Sequence, residues 1–395
     1  MMTLRLFAAL LPTITTFTAL SQPLTYQVQV DPLLKSQLHF SIDTSSLPEV
    51  TVLPPRSGRI TAQPDLFCQR KGTSTPLDYR RETACDAITW QVNLPTVDPQ
   101  GFDPSSQENS YSAKSGWYFV SEFNTLPRIA GSSNAQVCTP QARCYPLKGE
   151  NAPPLYLLWG MPTATLNING QPVIIHVEDP QVLQQKQRWL PTLERQLQYL
   201  QKVFPAQIQD WELAFFKREK EGGSIGGAAG SNMLLTNTLL EQGELTDESL
   251  RHLLKISAHE SVHHIDKRAL ASWKAESLAE YYAQKSLFGS EFAFDTPDVL
   301  WQQMAKKFPF AKLGLYEAHR QVKELGNYQY YPLFYFKGAA FWYALDLALQ
   351  AKGHSLDNLQ NIDLGSQVQL SSDFTTQVIQ LIGHEKWEAL ASEFL

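Results

Sequence analysis

Five consecutive residues constrain this chain more than any other feature: His259-Glu260-Ser261-Val262-His263. On an α-helix, positions i and i+4 lie on one face, so the two imidazoles can share one metal ion. In an extended strand the same two side chains would stand about 13 Å apart. The segment therefore has to be helical for the pair to act together. Glu260 follows the first imidazole and can face the open position of the ion. There it would take a proton from a bound water. Imidazole suits zinc, and zinc lowers the pKa of such a water to about 7.

With 9 His in 395 residues, chance alone gives this pattern in roughly one such chain in a hundred. The alternative is a helix whose histidines are ordinary surface or core residues. The flanking sequence supplies the helix. Thr246 is a good N-cap, and Asp247 and Glu248 put two acids in the first turn, where the helix dipole favours them. Leu250, Leu253, Leu254 and Ile256 then form an apolar face running towards His259. A third ligand is expected from Glu276. Ser272 can N-cap a second helix, and a chain reversal within Ala269–Ala271 would return Glu276 alongside His263. That closes a two-histidine, one-glutamate site with a fourth position left for water. Glu280 lies one turn further on and can orient His259, because a metal-bound histidine usually donates its other N–H to a carboxylate. His264 points about 100° away from the pair.

The rest of the chain divides into contrasting halves. Residues 1–21 carry one charge, Arg5, before an apolar run to Leu20, and end in Ala19-Leu20-Ser21; they are expected to be a signal peptide, with no membrane span left after its removal. All four cysteines, Cys68, Cys85, Cys138 and Cys144, fall in the first 150 residues. In an exported protein an even number indicates disulfides, and proximity favours 68 with 85 and 138 with 144, two other pairings remaining open. A secreted or periplasmic location follows. Residues 22–150 carry short β-branched and aromatic runs (25–30, 38–42, 88–92, 117–123) punctuated by Pro, Gly, Ser and Asn, as an all-β domain would. A linker is expected at 147–154. Beyond it come a hairpin around Asn169-Gly170 and a helix over 182–204 striped by Leu183, Trp189, Leu190, Leu193, Leu197 and Leu200. Strands at 211–217 and 233–236 flank a glycine-rich segment over 222–230, and helices run from about 246. The fold class is therefore α+β, with a second domain over 155–395. A net charge of −6 argues against nucleic acid, and 43% hydrophobic residues argue against disorder.

The motif, followed by Trp273-Lys-Ala-Glu276-Ser-Leu-Ala-Glu280-Tyr281-Tyr282, resembles the gluzincin metallopeptidases. Within them it more closely resembles the glycyl aminopeptidase family, relatives of the aminopeptidase N family. Tyr335-Phe336-Lys337-Gly338-Ala339, Leu345-Asp346 and Ser355-Leu356-Asp357 resemble further segments of that family. The resemblance implies a thermolysin-like peptidase domain and zinc held by His259, His263 and Glu276. It implies that Glu260 activates water and that Tyr335 stabilises the oxyanion. It also implies that Gly226, Gly227, Ala228 and Ala229 bind the backbone of a peptide or protein substrate. Ala229 stands where the aminopeptidases keep a glutamate for the substrate's free amine. Ser277 replaces the usual glycine after the glutamate ligand, and the spacing from His263 to Glu276 is shorter than in aminopeptidase N. A catalytically silent peptide-binding or assembly protein on the same fold is the alternative expectation.

Overall fold

In the front half, side-chain burial follows the pleat of the strands. Along Gln37–Asp43, Leu38, Phe40 and Ile42 turn inward while their neighbours turn out. The computed structural model describes residues 23–56, 63–204, 211–220 and 225–395. The expected signal peptide, and Gly222 to Ser224 of the glycine-rich segment, lie outside these residues. Seven strands form the front sheet in the order Cys144–Pro146, Ala135–Cys138, Leu24–Val30, Gln37–Asp43, Ala87–Asn93, Leu66–Arg70, Thr73–Leu77. Neighbours run antiparallel except Leu24–Val30 beside Ala135–Cys138. Trp90 stacks on Phe40 at 5.2 Å between ring centres in its core. Disulfides join Cys68 to Cys85 and Cys138 to Cys144.

The strand expected over 117–123 is shorter. Tyr118–Ser121 is extended, and Glu122–Thr125 then makes one helical turn. Burial of a charge is the cause. The turn carries the Glu122 carboxylate inward, where Arg56 and Arg128 bind it at 2.6 and 2.5 Å.

A second sheet of five strands follows, in the order Thr163–Ile168, Gln171–Val177, Glu212–Glu219, Met233–Leu240, Gly227–Ala229. Asn169 and Gly170 take φ of 54° and 85°, the left-handed pair a two-residue hairpin turn requires. The middle three strands are parallel and the last is antiparallel. The helix expected over 182–204 is two helices, Pro180–Gln184 and Lys186–Val203. The indole N–H of Trp189 takes the carbonyl of Val182 at 2.8 Å, the acceptor a continuous helix would have given to Lys186. The Trp189 stripe is core, with Trp189, Leu193, Leu197 and Leu200 fully buried.

This sheet is covered on both faces. Leu213, Phe215 and Leu234 face the helices. Ala214, Phe216, Ala228, Met233 and Leu235 face a separate core shared with Phe102, Trp117 and Phe119 from the front half and with Tyr156, whose strand pairs with Tyr118–Ser121. Every residue of Met233–Leu240 is accordingly buried. Two asparagines fasten the halves. Asn232 exchanges hydrogen bonds of 3.0 and 2.8 Å with the backbone of Tyr156. Asn237 donates to Phe102 O at 2.9 Å and accepts from Gly226 N at 3.0 Å.

The back half ends in helices, three of which build the site: a motif helix, Asp247–Ile265; a return helix, Ser272–Lys285; and a tyrosine helix, Pro332–Gln350. Thr246 caps the motif helix by accepting from Ser249 N at 3.1 Å. Ser272 does not cap the return helix. It is that helix's first residue, Ala271 occupies the cap position, and no side chain bonds there. Among the described residues, no helix is long and apolar enough to cross a membrane.

Candidate metal centre

The motif and return helices run antiparallel, so residues equidistant from their connecting turn meet. His263 faces Glu276 and His259 faces Glu280. Nε2 of His259 lies 3.2 Å from Nε2 of His263, and Glu276 Oε2 lies 3.4 Å from each. Ligand atoms 2.0–2.1 Å from a tetrahedral zinc ion stand about 3.3 Å from one another. The three atoms therefore occupy three corners of such a tetrahedron. Among the described residues, this is the group of His, Cys, Asp or Glu able to hold a metal ion. Its neighbourhood favours a cation. Burial works against charge on His259, yet hydrogen bonds to Glu276 and Glu280 raise its pKa to about 10. The same carboxylates that attract a proton there attract a divalent ion.

Both carboxylates are fixed from outside. Glu280 Oε2 meets Nδ1 of His259 at 3.3 Å, while its Oε1 accepts from Lys255 and Gln284, each at 2.8 Å. Burial opposes that charge, but Lys255 and His259 hold Glu280 well below the usual carboxylate range. Glu276 Oε1 accepts the hydroxyl of Tyr331 at 3.0 Å, leaving Oε2 to the histidines. Burial likewise opposes the Glu276 charge, and the two histidines hold its pKa low.

Glu260 and Tyr335 line a cleft of about 390 Å³ together with His259, Glu280, Lys255, Gly226 and Gly227. Burial pushes the Glu260 carboxyl up, against the pull of His259 and His263. The ring of Tyr335 lies 5.6 Å from that of His259. Gly227 runs directly against Glu260: a Cβ there would collide with its Oε1 and lie 2.9 Å from Ile256 Cγ2. A Cβ on Gly226 would run into Ser105 and Asp103 of the front half, and Ser105 also lines the cleft.

Gly227–Ala229 is the edge strand of its sheet, with Gly227 opposite Thr236, Ala228 opposite Leu235 and Ala229 opposite Leu234. Gly230 N bonds back to Met233 O at 2.8 Å. Inward-bonded pairs alternate in an antiparallel ladder, so Ala228 also bonds inward while the backbone groups of Gly227 and Ala229 face outward. Ala229 packs against the helical core.

Several residues flagged by the sequence serve the scaffold. Lys337 points away and donates to Leu313 O at 2.8 Å. Asp346 is buried and binds Tyr281, Lys285 and Leu356 N at 2.5, 2.7 and 2.7 Å. Asp357 binds the same Lys285 at 2.7 Å. A Cβ on Gly338 would collide with Ser277, whose Oγ accepts from Trp342 at 2.7 Å. A serine beside Glu276 is thus accommodated by a glycine on the facing helix. His264 is buried and stacks on Trp211 at 5.9 Å.

The fold has structural relatives. The chain matches the crystal structure of an aminopeptidase N family protein from Idiomarina loihiensis with a TM-score of 0.60 at 14% identity, over 85% of this chain and 69% of that one. It matches aminopeptidase A of Legionella pneumophila, solved with aspartic acid, with a TM-score of 0.45 at 11% identity, over 94% of this chain and 49% of that one. The chain thus spans about half the length of the second protein. No family model matches it, and no curated protein does. The fold resembles that of the Idiomarina aminopeptidase N family protein at low sequence identity, and the chain carries a His-His-Glu group able to hold a metal ion.

Proposed function

We propose that this chain is a zinc-dependent peptidase. The observation that carries the reading is the triangle of His259, His263 and Glu276 donor atoms, whose His259 lines the same cleft as Glu260 and Tyr335. Bound there, zinc would supply Lewis acidity and bring a water's pKa near neutrality. Glu260 would take the proton of the attacking water and pass it to the leaving amine, a role suited to a carboxyl raised by burial. The Tyr335 hydroxyl, kept protonated by burial and by Glu276, would donate to the oxyanion. Glu280 would hold His259 in the tautomer that presents Nε2. The outward backbone of Gly227 and Ala229 would align a peptide as an added strand.

The glycyl aminopeptidase group is the family this reading favours. Ala229 offers no carboxylate for a free amine, so the substrate would be cleaved internally or carry a blocked N-terminus. The two disulfides suit an oxidising compartment, and export through residues 1–21 fits them. Residues 22–150 and 155–395 would be the two functional domains.

Digestion of a peptide library, read by mass spectrometry, tests this. Wild type should cleave, and Glu260→Gln should keep the metal while losing hydrolysis. Equal cleavage by both would refute the mechanism. One bound zinc without cleavage by any preparation would instead indicate a silent peptide-binding protein.

A further inference from the structure

Tyr331 has no part in the reaction outlined above, yet its hydroxyl donates to the outer oxygen of Glu276. We propose that Tyr331 is a positioning residue that restricts Glu276 to binding the metal through one oxygen, an inference that rests on the metal-site reading above.

The geometry divides the carboxylate in two. Oε2 faces both histidines at 3.4 Å, and Oε1 faces the Tyr331 hydroxyl at 3.0 Å. A carboxylate can bind an ion through one oxygen or both, and that choice sets how many positions stay open for water and substrate. Holding Oε1 on a phenol settles the choice.

The fold also fixes where that hydroxyl points. Tyr331 immediately precedes Pro332, which opens the tyrosine helix. Its ring packs against Phe334 and Tyr335, with centres 5.1 and 5.6 Å away. Tyr331 and Tyr335 are four residues apart and so share one face. One serves the ligand carboxylate and the other lines the cleft beside His259. The first and third ligands thus each have an outer partner: Glu280 for His259 and Tyr331 for Glu276. Outer partners of this kind typically change metal affinity 10–100-fold when removed.

The test loads wild type, Tyr331→Phe and Tyr328→Phe with cobalt(II), and titrates zinc against a competing chelator. Tyr328 is 70% exposed and makes a fair control. In Tyr331→Phe the released Oε1 should join the ion. The visible cobalt absorption should then weaken and shift as the coordination number rises, and zinc affinity should fall about 10–100-fold. Tyr328→Phe should match wild type, and the melting temperature of metal-free Tyr331→Phe should stay at the wild-type value. An unchanged cobalt spectrum with unchanged zinc affinity overturns the proposal. So does an unchanged spectrum with a lowered metal-free melting temperature, which assigns Tyr331 to packing alone. A wild type that takes up neither metal overturns the metal-site reading itself, and this inference with it.

Discussion

The two halves of the molecule solve the problem of stability differently. The front half closes alternating strands around an aromatic core and staples them with two disulfides. Its buried charge is concentrated on Glu122, between Arg56 and Arg128. The back half has no cysteine, and buries ionic groups along the helices that build the site. Lys255 with Glu280, Lys285 with Asp346, and Lys337 against backbone carbonyls all lie there. Replacing buried ion pairs with apolar groups is often neutral or stabilising. Their presence here is explained by position. Each one fixes the helix that carries His259, Glu276, Tyr331 or Tyr335.

The difference can be broken experimentally, starting where the effect should be largest. Glu260→Gln should lower kcat/KM about 10²–10⁴-fold, with metal content and disulfides unchanged, as steady-state kinetics would check. Tyr335→Phe should lower kcat about 10²–10³-fold, as expected for one oxyanion donor, with little change in KM.

Asp346→Asn should cost about 3–5 kcal/mol, because it leaves Lys285 partly unpaired in a buried network. It should also alter the acid limb. The hydrogen bonds from Leu356 N, Lys285 and Tyr281 outweigh burial and lower the Asp346 pKa. The stabilisation from that shift is present in full above the unfolded value near 3.9, and is lost as pH falls through the lowered folded value. Thermal melts of the variant should therefore depend less steeply on pH below about 4.

A change in the front half should lower stability while leaving the chemistry untouched. Replacing the Cys68–Cys85 pair, with its separation of 17 residues, should cost about 3 kcal/mol of stability by loop entropy. Hydrolysis by the folded fraction should not change. A marked loss of metal affinity in that variant would contradict the division. Gly227→Ala should be smaller in stability, about 1–3 kcal/mol of crowding. It should still depress activity, because the added methyl displaces Glu260 rather than an inert side chain.

Local spacing made much of this site legible in the sequence. His259, Glu260 and His263 sit on one helix, and Glu276 and Glu280 recur at helical spacing after a short reversal. Other members were hidden because nothing local marks them. Tyr331 reads as one aromatic among several until a helix from a distant part of the chain brings it to Glu276. Asn237 and Ser105 act across the join between the halves, where sequence periodicity carries no information. Lys255 reads as a surface residue until Glu280 is placed beside it. The same limit explains the misread helix ends. Trp189 captures the Val182 carbonyl, and that contact interrupts a stripe that is continuous in the sequence.

The central claim is that His259, His263 and Glu276 together hold one metal ion. Elemental analysis of the purified chain after exhaustive dialysis against zinc-buffered solution tests it most directly. One zinc per wild-type chain, with none in His263→Ala or Glu276→Ala, is the predicted result. A wild type without zinc, or variants that retain it at full stoichiometry, would contradict the account.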